Sequence, residues 1–282
     1  MARRPFVGVS SPFSLILLLL SVKVVVAQDD DEPTSSAAQV STAFTEPVTG
    51  LTMERFFGAR TTFGFAMTMP ETPVDSFIGQ MSFPLVNGAG WGAIGLTGDM
   101  ENNFFLAAWS DGAGDVRASF RQGTNEADPP EVVGNFAVRP IAEATAVNDT
   151  FLTFTFMCEG CLDSALGLGA EATLADGVMG WALSEQAVAD PGSPDAQLGF
   201  HERGFGPFTM RLGEARSASF EGVAAQAGAP IRASSNASPV ALNVAGGESE
   251  DGEDEGEDNE EGGRGNAVTG PSNEQEEEDD DD

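Results

Sequence analysis

Between about residues 41 and 225, glycine, proline, asparagine and aspartate cut the chain into short extended runs, and this spacing limits its fold more than any other feature. The runs fall at 62–69, 77–83, 91–96, 104–109, 116–120, 132–138, 151–157, 178–183 and 208–212. In 151–157 (FLTFTFM) apolar side chains alternate with threonines; 62–69 (TFGFAMTM) alternates in the same way and stops at Pro70. Period-two runs bounded by turn residues read as half-buried strands. No stretch keeps a 3.6-residue apolar period over three turns, although 171–176 and 184–189 each allow one helical turn. The strand–helix alternation of an α/β sheet is missing, so the expected class is all-β, an antiparallel two-layer sandwich or barrel. Twenty phenylalanines and no tyrosine supply an interior without phenolic hydroxyls.

The two ends have a different composition. Residues 1–27 carry Arg3 and Arg4, then an apolar run from Phe13 to Leu20, which Lys23 separates from Val24–Val26, and end in small residues at Ala27. This reads as a secretory signal peptide, because the apolar run is too short to span a bilayer. Residues 28–40 read as an acidic and polar linker. Residues 226–282 read as a linker and a disordered acidic tail: 18 of the residues from 248 to 282 are acidic and Arg264 alone is basic, too polar a segment to offset its chain entropy. The formal net charge of −32 repels phosphate backbones and excludes nucleic acid as a partner. No membrane span is expected after signal cleavage, and the expected location is extracellular.

The titratable and soft side chains are few. His201 is the only histidine, which excludes HExxH zinc enzymes and two-histidine iron centres. Cys158 and Cys161 are the only cysteines; in a secreted chain they read as a small structural disulfide loop, with a redox-active pair as the alternative. Asn148 and Asn236 open N-glycosylation sequons. Gly90–Gly95 matches G-x-G-x-x-G but lies inside a strand-like run rather than between a strand and a helix, so it is not a dinucleotide fingerprint. No G-x-S-x-G elbow occurs, and no carboxylate pair stands out among 45 acidic residues. No catalytic residues are assigned. Met100 closes one strand-like run, and His201 sits in a loop of phenylalanines and glycines. A thioether and an imidazole on opposite faces of a haem leave no open coordination position and suit electron transfer. On residue type alone, a strand-end methionine reads as core filler and a lone loop histidine as structural. Leu162 follows Cys161, so no C-x-x-C-H is present and any haem is held noncovalently, as b-type.

Three segments taken together resemble the cytochrome domain of fungal cellobiose dehydrogenase and its stand-alone iron-reductase relatives. Gly90-Trp91-Gly92-Ala93-Ile94-Gly95-Leu96 followed by Met100 to Trp109 is similar to that family's haem-methionine segment. Phe151 to Cys161 is similar to its strand and small disulfide loop, and Gly180-Trp181-Ala182 with Phe200-His201 and Gly204-Phe205-Gly206 to its haem-histidine segment. The resemblance covers about residues 41–225. It implies an immunoglobulin-like β-sandwich binding haem b, with Met100 and His201 as axial ligands of the haem iron and Cys158 bonded to Cys161. It also implies a secreted one-electron carrier that takes electrons from a flavoenzyme and passes them to a copper polysaccharide monooxygenase or to Fe(III), with ferric reductase activity as an expectation. No cellobiose oxidation is expected without a flavin domain. Members of the family place a tyrosine near a haem propionate; this chain has none, which leaves Arg117 and Arg121 as candidates. The alternative is a haem-free sandwich that binds carbohydrate.

Overall fold

The alternating runs pair into two antiparallel sheets whose phenylalanine faces meet. The computed structural model describes residues 39–99, 101–124 and 128–242. In chain order the strands are β1 (Thr42–Thr45), β2 (Thr52–Gly58), β3 (Phe63–Thr68), β4 (Phe77–Pro84), β5 (Trp91–Gly95), β6 (Phe104–Ser110) and β7 (Val116–Gln122). There follow β8 (Val132–Val133), β9 (Ala137–Pro140), β10 (Ala146–Val147), β11 (Phe151–Glu159), β12 (Gly177–Ser184), β13 (Gly204–Met210) and β14 (Ser238–Pro239). One sheet runs β1-β2-β3-β4-β11-β10 with β9 also on β11; the other runs β13-β12-β5-β6-β7, and β14 pairs β8 in parallel. The described fold is thus an all-β, immunoglobulin-like antiparallel sandwich. No helix among the described residues is long and apolar enough to cross a membrane. The segments read as signal peptide, N-terminal linker and acidic tail (1–27, 28–38 and 243–282) lie outside the described residues.

Alternation decides what lies between the layers. Leu152, Phe154 and Phe156 of β11, with Phe63, Phe65 and Met67 of β3, face Ile94, Leu106, Met179 and Phe208 from the other sheet, all at most 3% exposed. Phe56 stacks on Phe208 with ring centroids 4.2 Å apart, a pairing worth about 0.5–1.5 kcal/mol beyond its buried area. The opposite face of the larger sheet is capped by α1 (Phe220–Ala224), whose Phe220 and Val223 pack on Met53, Ala66 and Ile78.

The run at 132–138 is not one strand. It breaks at 134–136, so that β8 stays beside β14 while β9 crosses to pair with β11 in the other sheet. The break turns Phe136 onto Phe104 and Phe120, each 4.7 Å away centroid to centroid. The run at 208–212 begins earlier, at Gly204, and ends at Met210. The helical turn at 171–176 is a 3-10 turn, Ala170–Leu174, whereas no helix forms over 184–189 because Ser184 still belongs to β12. Beyond β11, Gly160 takes φ +65°, a conformation cheap only for glycine, and closes the tight turn in which Cys158 and Cys161 are joined by a disulfide. Both sulfurs belong to the buried core.

The boundary expected at 225 is passed. Residues 228–241 are a strap along the sandwich edge rather than a free linker: Gly228 N–H donates to Pro140 O (2.8 Å), Ile231 to Val138 (2.9 Å), Ser238 to Glu131 (3.0 Å) and Val240 to Val133 (2.9 Å). Gln122 exchanges two further bonds with Ala241. Ile231 and Val240 pack against the main core. The strap covers edge groups that β7, β8 and β9 would leave unpaired. Deleting residues 229–242 is expected to cost about 2 kcal/mol of burial, and therefore to lower the thermal midpoint by about 4–8 °C in a calorimetric scan.

Candidate functional site

The second face of the five-stranded sheet carries little side-chain volume. Cross-strand register aligns Gly180, Gly95 and Phe105 in one row and Ala182, Ala93 and Ala107 in the next, with Ser184, Trp91 and Trp109 beyond. These small residues floor an open cleft enclosing about 780 Å³ of non-atom space, its mouth included. Phe105, Phe205 and Pro207 wall it, with His201 and Asp99 also on the lining; Trp181, whose ring stacks on Phe63 in the core, only borders it. A slot with a glycine and alanine floor and aromatic walls admits a flat group against the backbone, whereas any larger side chain there would fill it.

Two loops bound the slot. On one side Asn103, 8% exposed, donates from Nδ2 to the carbonyls of Thr97 (3.2 Å) and Asp99 (2.7 Å). Its amide lies over Gly95, where a Cβ would collide with it. Asn103 thereby pins the residues just before Met100. Met100 itself lies outside the described residues; Asp99, its neighbour, lines the cleft.

On the other side the loop after β12 carries His201. Its ring lies between those of Phe200 (4.5 Å) and Phe205 (4.4 Å). The next residue, Glu202, accepts from Ser184 Oγ (2.6 Å) and the Glu185 amide (2.7 Å). Burial pushes that carboxyl up, but the bonds from Ser184 and Glu185 outweigh it and hold Glu202 below the usual carboxylate range. Arg203 adds an ion pair to Glu185 at 2.8 Å.

Three buried polar atoms on the cleft's lining residues have no hydrogen-bond partner among the described residues: His201 Nδ1, Trp91 Nε1 and Asn103 Oδ1. Each such orphan costs about 1–3 kcal/mol. Their convergence on one apolar cleft, with the small-residue floor, marks a place built around a ligand. The donor set fits a flat apolar group held through one imidazole and does not fit hydrolysis, since no serine, cysteine or carboxylate pair stands beside His201 on the described lining.

The other sequence candidates lie elsewhere. The disulfide sits in the core at the end of β11, and Asn148 and Asn236 are exposed. The G-x-G-x-x-G match lies along β5 with no helix after it. Of the two propionate candidates, neither is on the described lining: Arg117 points toward Asp111, 4.0 Å away, and Arg121 is turned inward, its donors taken by Ser119 and three backbone carbonyls, which rules it out for a propionate. The role of Asn103 was not legible in the sequence, because an asparagine in a turn signals only the turn. Asn103→Ala, and equally Gly95→Ala, should speed amide exchange over 97–102 about tenfold through loss of the two clamp bonds, while exchange in the core strands stays unchanged.

A sequence model described as the cytochrome domain of cellobiose dehydrogenase matches residues 44–222. Among solved structures, the cytochrome domain of Myriococcum thermophilum cellobiose dehydrogenase is 27% identical, with a TM-score of 0.60 over 67% of this chain and 97% of that one. The cytochrome b domain of pyranose dehydrogenase from Coprinopsis cinerea is 26% identical, with a TM-score of 0.58 over 71% of this chain and 98% of that one. The matched segment contains the sandwich strands from β2 to β13, both loops that bound the cleft, and His201, and the chain accordingly belongs to the family of cellobiose dehydrogenase cytochrome domains.

Proposed function

We propose that this chain is a secreted b-type cytochrome domain that carries single electrons; haem b would sit noncovalently in the glycine- and alanine-floored cleft, with Met100 and His201 as the residues that would hold its iron. The observation that carries this reading is His201: the chain's one imidazole is buried, unpartnered at Nδ1, and faces an apolar slot within the segment matched by a cytochrome family. Haem, when bound, supplies a ferric/ferrous couple whose potential a thioether ligand raises.

The rest is done by the chain's own residues. Ser184 and the Glu185 amide hold Glu202, and so present the imidazole next to it. Asn103 holds Thr97 and Asp99, the residues just before Met100. Gly95, Gly180, Ala93 and Ala182 keep the floor low, and Phe105 and Phe205 exclude water from one side each. Apart from the Asp99 carboxylate, no nucleophile or base joins His201 on the described lining, which suits a site that moves electrons rather than one that makes or breaks substrate bonds. The donor fits a flavoenzyme, and the acceptor a copper polysaccharide monooxygenase or Fe(III). The net charge of −32 favours a basic protein partner and association that slows as salt rises.

All three tryptophans bear on the cleft: Trp91 lines it, Trp181 borders it, and Trp109 is the cross-strand partner of Trp91. With no tyrosine in the chain, titration with hemin should quench almost all ultraviolet emission, with an end point at one equivalent. The purified protein should show a low-spin spectrum that sharpens with dithionite. His201→Ala should lose the low-spin signature or the pigment; Met100→His should keep the pigment at a lower potential. A wild-type protein that stays colourless and fluorescent in excess hemin overturns the reading and leaves a haem-free, ligand-binding sandwich.

A further inference from the structure

Arg121 is 1% exposed on β7 and, among the described residues, has no carboxylate within ion-pair distance. Its guanidinium donates to Ser119 Oγ (2.8 Å) from Nε, to Pro129 O (2.9 Å) from Nη1, and to Pro194 O and Ala196 O (both 2.8 Å) from Nη2. A buried cation carries a desolvation penalty that an apolar residue of similar size would avoid. Burial indeed draws this arginine below its ordinary range, opposed only at longer reach by Glu131, Asp128 and Asp195.

The carbonyls show where that penalty is spent. Pro129 lines the cleft. Pro194 and Ala196 belong to the arm that runs to His201, whose Ala196 and Leu198 pack on Trp91 and Trp109. Trp109 Nε1 adds a bond to Pro191 O at 2.9 Å. One planar fork therefore ties a wall of the cleft and the histidine arm to the same strand. Lysine, with its donors on one nitrogen, cannot reach carbonyls on both sides at once.

We propose that Arg121 is a positioning residue for His201: it locks the 189–201 arm and Pro129 onto the sheet, so that the imidazole is in place before its ligand arrives. This rests on His201 being the ligand proposed above. A carbonyl clamp of this kind acts as an outer layer of support, and loss of such support typically weakens metal-group binding about 10- to 100-fold.

The test uses the full mature chain with Arg121→Lys, the milder Ser119→Ala, and Arg139→Gln as a control. Arg139 makes comparable bonds to Ala227 O, Gly228 O and Glu159, away from the cleft. Before hemin is added, amide exchange over 189–200 should rise in Arg121→Lys, rise less in Ser119→Ala, and stay at the wild-type rate in Arg139→Gln. After loading, transfer of hemin to apomyoglobin should be about tenfold faster or more in Arg121→Lys, with a high-spin fraction in its ferric spectrum and a shifted potential; Arg139→Gln should match the wild type in all three. Wild-type exchange over 189–200 in Arg121→Lys overturns the clamp. Faster exchange with an unchanged spectrum and hemin transfer rate overturns its link to His201. A wild-type protein that takes up no hemin, yet shows faster arm exchange in the variant, refutes the ligand reading while the clamp stands.

Discussion

Period-two alternation divides each strand of the smaller sheet between two jobs, and the cleft depends on that division. One face of β5, β6 and β12 presents Ile94, Leu106 and Met179 to the core. The other face must present something else, and at the centre of this sheet it is glycine and alanine. A one-residue slip would put Ile94 and Leu106 in the slot and leave the core hollow. The same residues that make the sandwich stable in this register thus also empty the cleft proposed to take a flat cofactor. The sheet makes the floor rigid, because its backbone bonds are internal and its inner side is packed.

The edges of the slot obey different physics. Loops carry the two proposed ligand residues, and loops are mobile unless tied. Here the ties are polar and specific: an asparagine amide on two carbonyls beside Met100, a carboxylate on a hydroxyl and an amide beside His201, and a buried guanidinium on three carbonyls behind the histidine arm. Each tie costs desolvation that an apolar core would avoid, and each fixes direction in a way that apolar packing does not. A redox centre gains from this, since ligands already in place need little rearrangement when the charge of the site changes.

Much of the fold could be read from local pattern. FLTFTFM in β11 and TFGFAMTM around β3 alternate because their bulky residues face the inter-sheet core while small or hydroxyl residues such as Ala66, Thr68 and Thr155 take the other face, which is itself covered, and that signal needs no partner to be seen. Where local signal was weak, reading failed. β1 and β2 lack clean alternation, since Glu54 is buried on a face where sequence expects an apolar residue and is held by Ser41 and Arg211. The run at 132–138 carries a turn signal at Gly134 and Asn135, but that local signal does not say that the chain passes there from one sheet edge to the other, which only the pairing of β8 and β9 decides. The strap at 228–241 has the composition of a linker, and only its pairing with β8 and β9 orders it.

Sequence alone determined the all-β class, the small cysteine loop and the single imidazole of the chain, because residue type and short-range period are local properties. It also named Arg121 as a candidate and mistook what its charge would face. Tertiary structure decided that His201, Trp91 and Asn103 share one cleft, that glycines and alanines from three strands form its floor, and that Arg121 meets carbonyls 73 and 75 residues further along the chain. Those facts depend on register and on which buried group finds which partner. Such matches are set by the packing of distant segments against one another and leave no mark on the residues nearby in sequence.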